Sequence, residues 1–314
     1  MVRIAFVVEF ELIEELKSLQ KYDSRVNLGI GDDCAILPQR AGFETLVTTD
    51  LLLDGVHFRT EVHSLKMIAR KSLAVNVSDI AAMAGTPTAA FISLVFPKIW
   101  NAQRARQLFQ ELVHAAQEFQ IPIAGGDTNT WSNPLAVNVL IYGEVEQGQA
   151  ILRSGAQPGD RICVSGPLGG SIFGRQFTFT PRISEAKWLR KNARVTSMID
   201  LSDGLISDLG HILEESSVGA EIFAEKIPIS EDVGQSVDGI SPLDHALSDG
   251  EDFELLWTMS PAELEKVLNL QSCPVNIIPV GIITETLGCL LVDEQGHKSP
   301  CSLQGFVHKF HEDS

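Results

Sequence analysis

The segment Ala74-Val-Asn-Val-Ser-Asp-Ile-Ala-Ala-Met83 places one acidic residue, Asp79, inside an otherwise apolar helical pattern. The pattern predicts a helix over residues 64–84, which Gly85 ends and Pro87 follows. At 100° per residue Asp79 falls on a stripe that we expect to be buried, and Arg70, Lys71 and Ala74 fall on other faces. The members of that stripe are Leu65, Ile68, Ala69, Asn76 and Met83.

A buried Asp79 needs a partner, because an isolated carboxylate in apolar surroundings is costly or takes up a proton. No basic residue shares its stripe. Two interpretations remain open. Either a metal ion holds the carboxylate, or backbone amides and Asn76 satisfy it.

Strand-like and helix-like patterns alternate on both sides of this helix and predict an α/β (α+β) fold. In the first half we predict strands at 45–49, 88–96, 121–124 and 135–145, and a helix at 102–119. In the second half we predict strands at 161–165, 196–199 and 253–259, and helices at 205–215 and 261–270. The polar stretch 146–160 contains the turn signal Pro158-Gly159 and separates the predicted domains, 1–148 and 149–314.

Seven aspartates stand among glycine, serine and threonine residues rather than beside lysines. They are Asp32, Asp33, Asp50, Asp79, Asp127, Asp200 and Asp203. Three of them, Asp50, Asp127 and Asp200, follow directly on predicted strands. Ligands of open α/β sheets gather outside the carboxyl ends of strands, so we expect the acids of both halves to face a shared crevice. Magnesium takes oxygen ligands and shares them with phosphates, and the pattern therefore predicts magnesium-dependent phosphoryl transfer.

Single motifs leave alternatives open. Asp32-Asp33 is also typical of a turn, and Asp203 is also typical of a helix N-cap. Gly166-Pro-Leu-Gly-Gly170 could bind an anion or form a plain strand-to-helix turn. The chain contains neither a Walker loop nor a dinucleotide-binding glycine motif.

Composition excludes several classes of protein. The net charge of −17 over 314 residues argues against nucleic-acid and acidic-membrane partners. No stretch is long enough to span a bilayer. The cysteines lack zinc-type spacing and favour a reducing cytoplasm. They are Cys34, Cys163, Cys273, Cys289 and Cys301.

A series of motifs, in this order along the chain, resembles the thiamine-monophosphate kinase family. The motifs are Gly29-Ile-Gly-Asp-Asp33, Thr48-Thr-Asp50, Gly55-Val-His-Phe58, Ala74–Met83, Gly125-Gly-Asp-Thr128, Arg153-Ser-Gly-Ala156, Pro158-Gly-Asp160, Asp200-Leu-Ser-Asp-Gly204 and Gly250-Glu-Asp-Phe-Glu254. The family belongs to the ATP-binding superfamily of aminoimidazole ribonucleotide synthetase. The resemblance implies a two-domain fold. Its N-terminal mixed sheet binds ATP and metal and pairs across a homodimer, and its C-terminal domain is α/β.

The resemblance also implies a site. Several magnesium ions would be held by Asp33, Thr48, Thr49, Asp50, Asp79, Asp127, Asp200 and Asp203. ATP, the co-substrate, would contact Gly126, Asp127, Arg153 and Ser202, and thiamine monophosphate would contact His57, Glu251 and Phe306. The γ-phosphoryl group would pass in line to thiamine monophosphate and give thiamine diphosphate, with no residue acting as a covalent nucleophile. Without the resemblance, Arg153 is more typical of a surface ion pair, Phe306 of a core aromatic and His57 of a turn.

The chain departs from the family pattern at Asp249, where glycine is usual, and at Phe253, where tyrosine is common. Residues 166–197 are also fewer than in many relatives. Other classes remain open. A selenophosphate synthetase is disfavoured because no cysteine precedes the first glycine-rich loop. A two-metal phosphohydrolase is disfavoured because histidine ligands are scarce. A non-catalytic, metal-loaded binding module is the third alternative.

Overall fold

The computed structural model describes residues 13–30, 34–270 and 273–301. It contains two mixed β-sheets with helices packed on them, which confirms the predicted α/β (α+β) class. The described residues up to Gly148, apart from Ala81–Ala84, form one compact unit. Ala81–Ala84 and the described residues from Gln149 onwards form the second. Within the described residues, no helix is long and apolar enough to cross a membrane.

The first unit is built on a four-stranded sheet. Its strands are β1 (Phe43–Leu53), β2 (Thr86–Pro97), β3 (Ile123–Trp131) and β4 (Ala136–Glu146). They lie in the order β1-β4-β2-β3, and β4 is antiparallel to both neighbours while β2 and β3 are parallel. The helices are α1 (Leu65–Ala82) and α2 (Ala102–Glu118), and residues 13–19 are also helical.

The two faces of this sheet differ in burial. On β4, Val137, Val139 and Ile141 are fully buried, whereas the residues between them are only half-buried. On the edge strand β1, Val47 is 55% exposed and Leu51 is 53% exposed. Because alternate residues of a strand point to opposite faces, helices cover one face and the other is open in the single chain.

Helix α1 differs from the prediction. Residues 71–78 are all buried, including Lys71 at 1% and Ala74 at 0% exposure, whereas Asp79 is only half-buried. The predicted single buried stripe was therefore wrong. The helix is buried on every side over this stretch, including its polar residues, so it lacks the single buried stripe of an amphipathic helix.

The second unit is built on a seven-stranded sheet. Its strands are β5 (Arg161–Val164), β6 (Val195–Asp200), β7 (Gly219–Phe223), β8 (Leu255–Met259), β9 (Ile278–Thr284), β10 (Gly288–Val292) and β11 (Lys298–Pro300), in the order β11-β10-β7-β9-β5-β8-β6. Within this sheet, only the β7–β10 pair is parallel among the described strands. The helices are α3 (Ile183–Asn192), α4 (Leu205–Ser216), α5 (Pro242–Ser248) and α6 (Pro261–Leu268).

Helices cover both faces of this sheet. On β5, Ile162 and Val164 belong to a core cluster with α4, whereas Cys163 between them belongs to a second cluster with α3 and α6. Alternation along the strand therefore separates the two clusters. Trp257 on β8, which is 0% exposed, lies in the second cluster.

The positions of three acids require a correction. Asp50 and Asp127 lie inside β1 and β3 rather than after them, and Asp200 is the last residue of β6. Strands β1 and β3 are the edges of their sheet, where polar side chains are tolerated along the strand itself. Since both sheets are largely antiparallel, the rule for carboxyl ends of parallel strands does not apply, and the shared crevice stays a prediction.

Two glycines provide a matched stability test. A Cβ added to Gly219, at the start of β7, would lie 1.8 Å from the carbonyl oxygen of Thr286, whereas one added to Gly210 in α4 would meet open space. We expect Gly219→Ala to lower the free energy of unfolding by about 2 kcal/mol or more. Gly210→Ala should raise it by about 0.5–1 kcal/mol, since alanine restricts the unfolded chain.

Chemical denaturation of both variants beside the unsubstituted protein measures these changes. Equal stability of the two variants would contradict the close approach of β7 to the turn at Thr286.

Candidate active site

Three predicted metal ligands lie on one face of the first sheet. Thr48 and Asp50 are two residues apart on β1 and therefore point to the same face. The hydroxyl of Thr48 donates a hydrogen bond to the carboxylate of Asp79 on α1, so this is the face that α1 covers. The structure thus brings Thr48, Asp50 and Asp79 to one side of the sheet.

Thr49 points the other way. Its hydroxyl donates to the carbonyl oxygen of Val139 at 3.1 Å and lies 3.2 Å from the Oδ1 of Asn138. Adjacent residues of a strand face opposite sides of a sheet. The side chain of Thr49 is therefore separated from Thr48, Asp50 and Asp79.

Asn76 does not satisfy the carboxylate of Asp79, which is the role that the sequence left open for it. It is fully buried on α1, its Nδ2 donates to the carbonyl oxygen of Ser72 at 3.2 Å, and its Oδ1 accepts no hydrogen bond from any described residue. The carboxylate of Asp79 instead accepts a hydrogen bond from the hydroxyl of Thr48. Asn76 leaves a buried acceptor oxygen one helical turn before Asp79.

A cavity of about 730 Å³ in the first unit joins two of the glycine-containing motifs. Gly29 and Ile30, the first two residues of the motif Gly29–Asp33, line it together with Gly125, Gly126 and Asp127. Asp32 and Asp33 lie outside the described residues. A Cβ on Gly126 would lie 1.9 Å from the carbonyl oxygen of Ile92, so the backbone of β3 approaches β2 too closely for a side chain.

His57 occupies a fixed turn. Its Nδ1 accepts the backbone N–H of Leu53 at 3.0 Å, which leaves the ring proton on Nε2 in the neutral form. The buried Nζ of Lys71 donates to the carbonyl oxygen of His57 at 2.9 Å. The sequence reasoning missed Lys71, because the helical wheel assigned it to another face.

In the second unit, two loops that carry predicted contacts are hydrogen-bonded to each other. The N–H of Glu251 donates to the carbonyl oxygen of Ser202 at 2.7 Å, and the N–H of Phe253 donates to that of Leu201 at 2.8 Å. Asp200 and Asp203 flank these acceptors. The structure therefore places Ser202, predicted for ATP, beside Glu251, predicted for thiamine monophosphate.

The loop at Glu251 has an unusual backbone. Glu251 has φ 58° and Phe253 has φ 50°, both in the left-handed region that side-chain-bearing residues seldom occupy. Residues held in such conformations concentrate at functional sites. The ring of Phe253 stacks on that of Phe179, with centroids 4.2 Å apart, and this contact helps to hold the loop.

Asp208 supports the loop 200–204 through hydrogen bonds to its backbone. It is 1% exposed on α4 and accepts the N–H groups of Asp203 at 3.0 Å and Gly204 at 3.1 Å. Burial, and next the charge of Asp200, raise the pKa of Asp208 to about 8. The helix N-cap is Gly204, which makes no side-chain cap bond, so the N-cap interpretation of Asp203 was wrong.

Backbone amides of the Gly166–Gly170 turn donate hydrogen bonds to carboxylates of the same chain. Gly169 N–H donates to Asp252 at 2.9 and 3.1 Å, and Gly170 N–H donates to Asp249 at 2.9 Å. These amides are already bonded, which favours the plain turn over an anion-binding loop. Asp249, a departure from the family pattern, thus has a definite partner.

Two arginines complete this support. Arg175 donates to Asp252 at 2.9 Å, and Arg182 donates two hydrogen bonds to Glu254 at 2.6 and 2.9 Å. Burial raises the pKa of Asp252 to about 6, against the opposing effect of its Gly169 hydrogen bond. Sequence reasoning missed both arginines. The usable signal was the pair of acids inside Gly250-Glu-Asp-Phe-Glu254.

Arg153 is exposed on a loop beside β6. The hydroxyl of Ser216 accepts the N–H groups of Gly155 and Ala156, each at 3.1 Å, and donates to the carbonyl oxygen of Arg153. The residue before it, Leu152, accepts the N–H of Met198, two residues ahead of Asp200. Phe306 lies outside the described residues.

Within the described residues, no three histidine, cysteine, aspartate or glutamate side chains form a ready metal cluster. The oxygens that are present nevertheless suit a hard cation. They comprise carboxylates, a threonine hydroxyl and the buried Oδ1 of Asn76. Magnesium usually takes one or two carboxylates and completes its shell with water and substrate phosphates.

The chain is similar to known proteins over most of its length. Residues 31–145 match the family model described as AIR synthase related protein, N-terminal domain. The chain is 36% identical over 310 residues to thiamine-monophosphate kinase of Rhodopirellula baltica, with 96% of this chain and 97% of the relative covered.

Two solved structures are similar over most of the chain. One is the crystal structure of thiamine-monophosphate kinase from Stenotrophomonas maltophilia K279a, with a TM-score of 0.78, 31% identity, and 92% and 96% of the two chains covered. The other is described as AaThiL complexed with AMPPCP and TMP, with a TM-score of 0.73, 27% identity, and 85% and 88% covered.

A pair of substitutions at Asp208 tests its support of the Asp203 loop. Asp208→Asn keeps an acceptor oxygen and should leave the free energy of unfolding close to that of the unsubstituted protein. Asp208→Ala leaves two N–H groups without their acceptor and should lower it by about 2 kcal/mol or more.

Denaturation in chelator measures stability, and kcat measured with metal shows whether the loop still holds its geometry. If alanine and asparagine behave alike in both measurements, Asp208 does not hold the loop.

Proposed function

We propose a function for this chain from an established premise, that it belongs to the thiamine-monophosphate kinase family. It phosphorylates thiamine monophosphate with ATP and yields thiamine diphosphate and ADP. The AMPPCP and TMP held by the similar AaThiL structure support this pair of substrates. It is a phosphotransferase with a phosphate group as acceptor, in thiamine diphosphate biosynthesis.

The observation that carries the proposal is the hydrogen bond from Glu251 to Ser202. It joins the loop proposed to contact the nucleotide to the loop proposed to contact the acceptor. Two reactants held at adjacent loops lose little further freedom on reaching the transition state. Glu251 has a left-handed backbone conformation, and its carboxylate suits a cationic heterocycle.

The proposed ligands of magnesium are Thr48, Asp50, Asp79 and Asp127 in the first unit and Asp200 and Asp203 in the second, with Asp33 and Thr49 carried over from the family. Of these, Thr49 has the weakest support, because its hydroxyl lies on the opposite face of β1. Bound magnesium supplies positive charge to phosphate oxygens. Without it the carboxylates would repel ATP, since two unit charges 4 Å apart cost roughly 1 kcal/mol in water and about 4 at an effective dielectric of 20.

The protein's own groups bind and orient the two substrates. Gly126 lets the nucleotide approach the backbone of β3, and Arg153 offers a forked donor to phosphate oxygens. His57 presents Nε2–H, and Glu251 with Phe306 suits the flat, cationic ring of the acceptor. The acceptor phosphate is already an anion, so direct transfer requires neither a side-chain base nor a covalent nucleophile.

We also propose a homodimer and a cytoplasmic location. The open face of the first sheet exposes Val47 and Leu51, which favours pairing with a second copy. All five cysteines are free thiols, as a reducing compartment would keep them.

The product assay tests the function directly. Incubation with ATP, thiamine monophosphate and magnesium should give thiamine diphosphate and ADP in equal amounts by chromatography. Free phosphate as the main product would favour a hydrolase, and an unchanged mixture would favour a non-catalytic binding module. Either result would overturn the proposal.

Asp127→Asn separates a metal ligand from a structural acid. Asp127 is exposed and lines the cavity of the first unit, so losing its charge should not weaken the fold. We expect kcat to fall by at least about 100-fold, the scale of removing one group that stabilises transition-state charge. The free energy of unfolding in chelator should stay equal or rise.

Glu146→Gln, at an exposed position on the same sheet, is the matched control and should leave kcat unchanged. An Asp127→Asn protein that loses its fold would assign Asp127 a structural role instead.

Val47→Lys tests the homodimer. A lysine at this position would bury a charge in the proposed interface, so the variant should elute as a monomer where the unsubstituted protein elutes as a dimer. Light scattering after gel filtration measures the mass. Val62→Lys, at a 72% exposed position outside the sheet, is the control and should leave the dimer intact. A monomeric unsubstituted protein would refute the interface.

A further inference from the structure

Cys289 and Cys301 face each other across a strand pair at the edge of the second sheet. Strand β10 pairs with β11 in antiparallel register, with Leu290 opposite Pro300, which places Cys289 opposite Cys301. The N–H of Cys301 donates to the carbonyl oxygen of Cys289 at 2.9 Å. Directly opposite residues of such a hydrogen-bonded pair have Cα atoms about 5.5 Å apart. A disulfide spans Cα separations of about 4.4–6.8 Å.

The two thiols also lie on the same side of the sheet. Both pack at the margin of the core cluster that contains α4, and both are partly buried. The strand register therefore already places the two side chains beside each other.

The contact makes the two thiols unequal. The hydrogen bond from Cys289 lowers the pKa of Cys301, whereas the same hydrogen bond and burial raise the pKa of Cys289. Cys301 is therefore the thiol that ionises first, and a thiolate is the nucleophilic form of cysteine.

The other cysteines lack such a neighbour. Cys163 is fully buried, and burial raises its pKa to about 12. Cys34 is exposed, and the thiol of Cys273 donates to the carbonyl oxygen of Val275. Among the cysteines of the described residues, Cys289 and Cys301 are thus the pair placed to form an internal disulfide.

We propose that Cys289 and Cys301 form a reversible disulfide when the protein meets a hydroperoxide. The thiolate of Cys301 attacks one peroxide oxygen, breaks the O–O bond and becomes a sulfenic acid, and the hydroxide released takes up the proton that Cys301 lost. The sulfur of Cys289 then attacks the sulfenic sulfur, the S–O bond breaks, and the departing hydroxyl leaves as water with the Cys289 proton. Two thiols and one hydrogen peroxide thus give one disulfide and two waters.

The disulfide would link the short edge strand β11 to its neighbour β10. Strand β11 has three residues, all exposed, and it is the outermost strand in the sheet order. A covalent link to β10 would stop this strand from separating. The inference concerns the hairpin itself and does not rest on the proposed activity.

Mass spectrometry of the full chain tests the proposal. In a Cys34→Ser, Cys273→Ser background, hydrogen peroxide followed by an alkylating agent should leave Cys289 and Cys301 unlabelled in most molecules, with a mass loss of about 2 Da. Trypsin cleaves after Lys266, Lys298 and Lys309, so the oxidised protein should yield residues 267–298 joined to 299–309. Dithiothreitol should separate them. Backbone amides near Cys301 should exchange hydrogen more slowly in the oxidised form.

Cys301→Ser is the matched control and should abolish the joined peptides, while Cys163→Ala should not. Full alkylation of both thiols after peroxide would overturn the proposal, as would disulfides that form only between molecules. Because the unsubstituted pair is read directly, a control variant that fails to fold does not affect the result.

Discussion

The loop pairing of Glu251 with Ser202 and of Phe253 with Leu201 is the constraint on which the second unit depends. These two backbone hydrogen bonds hold the loop 250–254 against the loop 200–204, and each loop has its own support underneath. Asp208 accepts the amides of Asp203 and Gly204 in the loop 200–204, and the buried acids Asp252 and Glu254 fix the loop 250–254 through the arginines that donate to them. Asp208, Asp252 and Glu254 are thus buried carboxylates that hold the backbone, whereas Asp200 and Asp203 are the acids proposed to bind metal.

The first unit achieves a similar division with a sheet. Its central strands carry the apolar side chains that pack against the helices, and its edge strands carry Asp50 and Asp127. The hydroxyl of Thr48 on β1 reaches Asp79 on α1, so strand and helix present oxygen atoms together. Gly126 allows the backbone of β3 to approach β2, since a Cβ there would strike the carbonyl oxygen of Ile92.

Much of this was predictable from the sequence, and the failures have physical causes. The helix at 102–119 was predicted almost to its observed bounds, because α2 is amphipathic and Asn101 caps it by accepting the N–H of Arg104. The helical wheel failed for α1 because residues 71–78 are buried on every side of the helix, polar residues included. Contacts such as Arg182 with Glu254 join residues 72 positions apart, and no local pattern encodes such a pairing. The motifs predicted which residues carry chemistry, but the opposite faces of Thr48 and Thr49 emerged only with the strand.

The account makes one central claim, that carboxylates of this chain bind nucleotide through divalent cations. Titration calorimetry of ATP into the protein, with magnesium and then with excess chelator, tests it most directly. Tight binding with magnesium and at least about a 100-fold weaker affinity in chelator is the predicted result, a difference of about 2.7 kcal/mol. Equal affinity in the two conditions would contradict the claim.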